Sequence, residues 1–193
     1  MNDFGQTICL SMIAKNEAHV IRRCLDSVRP IIDHWIIVDT GPTDGTQDVI
    51  RAAMSDMPGT LVERPWVDFA FNRNEALGLS RQRAHYSLII DADDELLIPD
   101  GFVMPKLSEA GYKFEIIDGP TRYWRKQLVN SKRNWIYRGV LHEFLTAQEI
   151  QIRRSSPWQC VVAMTGRVTA TKRPSRGISR CSKMRSLSSR THS

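Results

Sequence analysis

Hydrophobic positions over the first ninety residues switch repeatedly between two spacings. Thr7–Ala14 is almost all apolar, as expected of a strand buried on both faces. From Glu17 to Val28, the side chains Val20, Ile21, Cys24, Leu25 and Val28 fall on one helical stripe, which Pro30 stops. Trp35–Val38 predicts a second buried strand ending at Asp39. Thr43-Asp44-Gly45-Thr46 then supplies turn and cap chemistry for a helix carrying Val49, Ile50, Ala53 and Met54. Thr60–Arg64 reads as a third strand, Phe69–Arg83 as a third helix, and Tyr86–Ile90 as a fourth strand running into Asp91. This alternation predicts an α/β fold, a mostly parallel sheet flanked by helices on both faces.

The pattern then changes. Tyr112–Ile117, Tyr123–Val129 and Trp135–Val140 predict shorter strands with no long helix between them, a mixed or antiparallel extension of the sheet. After Gln151 no period is sustained, and the composition turns to Ser, Arg and Thr. The expected organisation is one domain over residues 1–150 and a basic, disordered or aberrant tail over 151–193.

Charge sharpens that division. The net charge is +6, yet ten of the 27 basic residues and none of the 21 acidic ones lie beyond position 152, so residues 1–152 are net −4. The body therefore gives no electrostatic reason to expect nucleic acid. A hydrophobic fraction of 41% with 25% charged residues is ordinary for a soluble domain, and no run approaches the ~18 apolar residues of a membrane span. An early Asp3 and the Lys15-Asn16-Glu17 segment do not suit a secretory signal, so a cytoplasmic location is expected. Cys9, Cys24, Cys160 and Cys181 form no CxxC pair; Cys9 and Cys24 fit as small core residues.

Open parallel sheets bind ligands beyond the carboxyl ends of their strands. Asp39 closes the second strand and Asp91 follows the fourth. Asp91 and Asp93 are one residue apart, so both carboxylates can reach one ligand cluster, and hard cations such as Mg2+ or Mn2+ favour such oxygens together with phosphate. Rival motifs fail on spacing. An EF-hand loop starting at Asp91 needs Gly where Leu96 stands and Glu where Phe102 stands. A nucleotidyltransferase would show a glycine-rich loop where Ala14-Lys15-Asn16-Glu17 stands.

Met12-Ile13-Ala14-Lys15-Asn16-Glu17, Ile37-Val38-Asp39-Thr40-Gly41-Pro42-Thr43-Asp44-Gly45-Thr46, Asn72-Arg73-Asn74 and Ile90-Asp91-Ala92-Asp93-Asp94 resemble, in order, the motifs of family 2 glycosyltransferases with the GT-A fold. Tyr137-Arg138-Gly139-Val140-Leu141-His142-Glu143 resembles the later motif of a bacterial branch often followed by helical repeats. The resemblance implies that a nucleotide-diphosphate sugar is the donor and that Asp39 contacts its base. It places Arg73 near base or diphosphate, Asp91 near ribose and metal, Asp93 on the metal, and His142 as a late metal or diphosphate contact. Inverting transfer also requires a carboxylate base, for which Asp94, Glu95 and Glu143 compete. Pro42 stands where the family usually has Ser, which removes a hydroxyl and an N–H. The acceptor (glycan, lipid-linked or protein) and the donor's base are left open.

Plainer readings exist for each residue. Asp39 and Asp44 could be turn formers, Asp91–Glu95 a solvated acidic turn, Arg73 a surface residue of the third helix, and His142 a structural histidine. The tryptophans are expected to pack, although Trp124 and Trp135 fall in the half where an acceptor would bind. Two other functions stay in view. A frame disruption near residues 150–165 would leave a nucleotide-binding remnant without turnover. A basic tail binding nucleic acid or anionic membrane ranks last, because it lacks aromatic interleaving and amphipathic order.

Overall fold

The computed structural model describes residues 1–41, 43–139, 143–147 and the backbone of 163–165. Four parallel strands form its first half: β1 (Ile8–Ala14), β2 (His34–Asp39), β3 (Gly59–Glu63) and β4 (Tyr86–Ile89), joined through α1 (Ile21–Val28), α2 (Thr46–Ala53) and α3 (Phe69–Ser80). The second half adds β5 (Glu95–Leu97), β6 (Gly111–Asp118), β7 (Thr121–Asn130), β8 (Trp135–Arg138), β9 (Phe144–Ala147) and β10 (Ala163–Thr165). The large sheet runs β3-β2-β1-β4-β7-β6-β10-β5, and β8 and β9 pair separately. Sheet direction reverses at β7, which is antiparallel to both β4 and β6. The expected parallel sheet with a mixed extension is what forms.

Alternation along β1 explains the two layers. Ile8, Leu10, Met12 and Ala14 pack with Ile21, Cys24, Leu25 and Ile50 in one core, so α1 and α2 cover one face. The opposite face takes α3, where Ser87 of β4 meets Ser80 at 2.8 Å between hydroxyls. A smaller cluster of Leu77, Ile89, Val129, Trp135 and Leu145 fixes β8 and β9 to that face. Cys9 and Cys24 are buried free thiols, as expected; burial, the largest influence on each, pushes Cys9 up to about 12 and Cys24 well above the usual thiol value. Gly59 is required by packing: a Cβ there would sit 2.2 Å from the Trp35 ring opposite it on β2.

Several elements differ from the sequence pattern. Helix α1 begins at Ile21 rather than Glu17, because Val20 leaves the helical region at φ −127° and ψ −30°; the Glu17 N–H is taken by Thr46 Oγ1 (2.8 Å) and the Ala18 N–H by Asp44 Oδ2 (3.0 Å). Asn16, at φ 56°, turns the chain into that exchange. Helix α3 stops at Ser80, short of Arg83. Strands β5, β9 and β10 carry only three or four residues each, too few for a period to be counted. Of the segment after Gln151, the backbone of Ala163–Thr165 pairs parallel to β6 and antiparallel to β5; the rest lies outside the described residues.

Candidate active site

The loops that follow β1 and β2 are laced together. Asn16 Oδ1 accepts from the Thr43 N–H at 2.9 Å and from its hydroxyl at 3.1 Å. Asp44 Oδ1 accepts from the Thr46 N–H (3.0 Å) and Oγ1 (2.5 Å), which holds its carboxyl below the usual range. Asp44 is thus a turn former, the plainer of its two readings.

Asp39 is different. It is fully buried at the end of β2, and its Oδ1 accepts from the Gly41 N–H at 3.1 Å. Its Oδ2 is buried without a hydrogen-bond partner among the described residues. Burying a carboxylate oxygen unpaired is costly. With Gly41, Glu63, Arg64 and Pro65, Asp39 lines a cavity of about 260 Å3. Arg64 is anchored there by its ion pair with Glu75 and by its N–H on the Asp39 carbonyl at 2.9 Å.

A second cluster forms around Asp91, two residues past the end of β4. Arg73 of α3 contacts Asp91 Oδ1 at 2.7 Å and Glu143 at 3.4 Å. On the other side, Arg125 of β7 reaches Asp91 Oδ2 at 3.3 Å and Asp94 Oδ2 at 2.7 Å. Burial opposes charge on Arg73, but Asp91, Tyr137 and Glu143 more than offset it and hold the guanidinium above its usual value. Its carbon lies 5.9 Å from the Phe69 ring and 5.5 Å from the Tyr137 ring, within cation–π range. Asp94 is only 5% exposed, and burial followed by the Asp91 charge pushes its carboxyl up to about 6, with Arg125 pulling the other way.

Neither plainer reading of this cluster survives. Arg73 is no surface residue, with 16% of its side chain exposed, and Asp91–Glu95 is no solvated turn, since Asp94 is buried and ion-paired. The flanking asparagines are structural. Asn72 holds the Val67 N–H and Pro65 carbonyl, while Asn74 pairs with both the N–H and the carbonyl of Tyr137, tying α3 to β8.

Arg73, Asp91 and Glu143 line one cavity of about 330 Å3, floored by Arg125, Lys126 and Gln127 of β7. Asp39 lines the other, so Arg73 shares its cavity with Asp91 and not with Asp39. Asp93 lines neither; its carbonyl accepts from Arg23 at 2.9 Å. Pro42 and His142 lie outside the described residues. Arg125 was not singled out by sequence, because a charged residue in the run Trp124-Arg125-Lys126-Gln127 looks like any exposed strand residue. Only the fold shows it turned toward Asp91. Trp135 is buried, whereas Trp124 is 40% exposed and lines the larger cavity.

Among the described residues, no three His, Cys, Asp or Glu side chains converge on a metal-sized point. Asp91 and Asp93 carry hard oxygens of the kind that Mg2+ or Mn2+ favours alongside phosphate oxygens, but only Asp91 lines the cavity.

Two carboxylates beyond parallel strand ends, laced loops between them and an arginine-rich cavity define a ligand-binding α/β domain of the kind open sheets build at this edge. The chain belongs to glycosyl transferase family 2, whose sequence model matches residues 9–152. Family and sheet order together give the GT-A fold that the motifs implied. An uncharacterised glycosyltransferase of Rickettsia felis is 33% identical over 91 residues, covering 47% of this chain and 30% of that protein. A TPR repeat-containing protein of Synechococcus elongatus is 34% identical over 92 residues, covering 47% and 21%. The chain thus spans less than a third of the length of these curated relatives. Among solved structures, S. aureus TarS aligns with a TM-score of 0.46 at 14% identity, over 61% of this chain and 23% of that one. Mycobacterium tuberculosis glucosyl-3-phosphoglycerate synthase, solved with Mg2+ and uridine diphosphate, aligns at 0.39 and 23% identity, over 48% and 35%. Among the described residues no helix is long and apolar enough to cross a membrane.

Proposed function

We propose that this chain transfers a sugar from a nucleoside-diphosphate donor to an acceptor hydroxyl, with inversion at the anomeric carbon and help from Mg2+ or Mn2+. The observation that carries the donor assignment is Asp39, which lines a cavity at the strand edge and whose Oδ2 is buried without a partner among the described residues. A donor N–H from a nucleotide base would satisfy it. Family membership supports the reaction class.

In this reading Asp39 holds the base, and Asp91 and Asp93 hold the cation. When bound, the cation would neutralise charge developing on the leaving diphosphate. Arg73 orients Asp91 and stands ready for a phosphate oxygen. A carboxylate, Asp94 or Glu143, takes the acceptor proton as the new oxygen–carbon bond forms. The bond from the anomeric carbon to the diphosphate oxygen breaks, and its electron pair leaves with the diphosphate. Residues 1–150 would form the catalytic domain.

Calorimetry of uridine and guanosine diphosphate, with Mg2+ or Mn2+ and with EDTA, tests the donor side. The cation should tighten binding, and Asp93→Asn should abolish that gain. Equal affinity with cation and with EDTA would sink the metal assignment. A second reading, nucleotide binding without turnover, draws on the pairing of Asp91 with two guanidinium groups, which a cation must displace. Metal-dependent binding without sugar release from the donor would favour it.

A further inference from the structure

The cavity beside Asp91 is also lined by two lysines that the proposed donor chemistry leaves unused. Lys113 of β6 and Lys126 of β7 lie directly opposite each other across the strand pair, and both line the cavity. The juxtaposition follows from a β-bulge. Register shifts between Tyr112 and Lys113, with Gln127 as the extra residue on β7, and bulges re-aim side chains beside functional sites. Like charges facing each other across a sheet destabilise it unless something intervenes.

No carboxylate among the described residues does. Glu115, the nearest acid along β6, is paired with Arg122 at 3.2 Å. Asp91 is held by Arg73 and Arg125, and Glu143 is paired with Arg73. Lys126 donates to the Leu145 carbonyl at 2.8 Å and lies 5.5 Å from the Trp135 ring, which fixes its ammonium in place without neutralising it. Burial, and then the Lys113 charge, pushes Lys126 below the usual lysine value. A dianion between the two ammonium groups would relieve both penalties. A phosphate monoester carries about −1.5 to −2 near neutral pH and offers three acceptor oxygens.

We propose that Lys113 and Lys126 form a subsite for a phosphoryl group carried by the acceptor. This rests on the glycosyltransfer reading, since Glu143, one of the two candidate bases, lines the same cavity as Asp91 and the lysines. The acceptor is then a phosphorylated molecule whose phosphate is seated on the lysines and whose hydroxyl meets the carboxylate base.

The test is titration of the full chain with inorganic phosphate, followed by phosphorus NMR and calorimetry, alone and in the presence of saturating uridine diphosphate and Mg2+. Phosphate should bind in both conditions, Lys113→Gln should weaken it about tenfold, and Lys113→Arg should retain it. Lys113 is the residue to change because Lys126 also supports β9, and the melting temperature of Lys113→Gln checks that its fold is kept. Displacement of phosphate by the nucleotide would assign the lysines to the donor's diphosphate and overturn the proposal. Phosphate affinity indifferent to Lys113→Gln would overturn it as well. Absence of nucleotide binding would instead refute the donor reading, with the Lys113→Gln result still deciding whether the lysines hold phosphate.

Discussion

Asp39 and Asp91 occupy equivalent places, just where β2 and β4 run out, yet their surroundings differ in kind. Asp39 makes no ion pair among the described residues; one of its oxygens takes a backbone N–H and the other takes no partner there. Asp91 is gripped by Arg73 on one oxygen and Arg125 on the other. An oxygen with spare valence can accept a neutral donor at once. A carboxylate already neutralised must exchange partners before it meets a cation. The first arrangement suits recognition of a base, and the second suits a site that rearranges when phosphates arrive, with the two arginines released onto them.

The sharpest way to break this contrast is to remove Arg73. Its loss would leave Glu143 without its arginine and Asp91 with Arg125 alone, and breaking a buried ion pair costs about 3–5 kcal/mol. Urea unfolding of Arg73→Ala should show a loss near that size. A loss below about 1 kcal/mol would mean that Asp91 and Glu143 are adequately solvated without it.

Asp39→Ala should behave in the opposite sense. It removes an oxygen without a partner among the described residues together with the Oδ1 bond to the Gly41 N–H, so the melting temperature should change little. Nucleoside diphosphate binding should weaken by about 1–3 kcal/mol in calorimetry. A destabilised variant with unchanged nucleotide affinity would return Asp39 to the role of a turn former.

The pH dependence is next in size. Asp94 titrates at about 6 in the fold against 3.8 unfolded. Because the folded value is the higher one, the native state holds the proton more tightly. The contribution is therefore fully present below about pH 3.8 and is lost as pH rises through about 6. Asp94→Asn should remove this pH dependence, gaining about 1–2 kcal/mol over wild type at pH 8 and nothing at low pH. Denaturant midpoints across pH 4–8 would show it. If Asp94 is the base, turnover should also rise through pH 6; a rate profile flat across that range would favour Glu143.

These tests fall on residues of unequal legibility. Asp39 and Asp91 could be found from sequence because each ends a continuous apolar run, and the end of a buried parallel strand is where ligands gather. The parallel half of the fold was legible for the same reason: β1, β2 and β4 are apolar on both faces, and α1 carries a single stripe. Arg125, Lys113 and Lys126 gave no such signal. Lys113 lies on β6, where charged residues alternate with apolar ones, and Arg125 and Lys126 lie in a consecutive polar run of β7; neither pattern tells whether a residue lines a cavity, and the bulge at Gln127 that aligns the two lysines leaves no mark in the periodicity. Asp44 carried the same kind of motif signal as Asp39 but proved to be a turn former ahead of α2. The difference lies in the partner: Asp44 has the Thr46 hydroxyl within reach, and Asp39 Oδ2 has none among the described residues.

The smallest expected effect concerns the junction between the sheet and the segment after Gln151. Strand β10 is three residues long, but it is the link through which β5 joins β6 in the large sheet. Leu96 of β5 is buried in the main core, so β5 has apolar contacts to hold it as well as the ladder. Ending the chain at Val162 would remove that ladder and keep the Leu96 contacts. A few backbone hydrogen bonds at about 0.5–1.5 kcal/mol net each, offset by the entropy regained by three freed residues, leave a loss of about 1 kcal/mol. Ending the chain at Gly166 instead keeps β10 and removes 27 residues that contain no acid, with Val168, Ile178, Met184 and Leu187 as their main large apolar side chains. Four such side chains can contribute about 1.5–3 kcal/mol each when buried, against at least about 1 kcal/mol of backbone entropy for every residue ordered. Thermal melting should therefore separate the two endings, with a drop of a few degrees for Val162 and none for Gly166. Equal drops would show that residues beyond Gly166 pack on the domain, and equal stability would show that Leu96 alone secures β5.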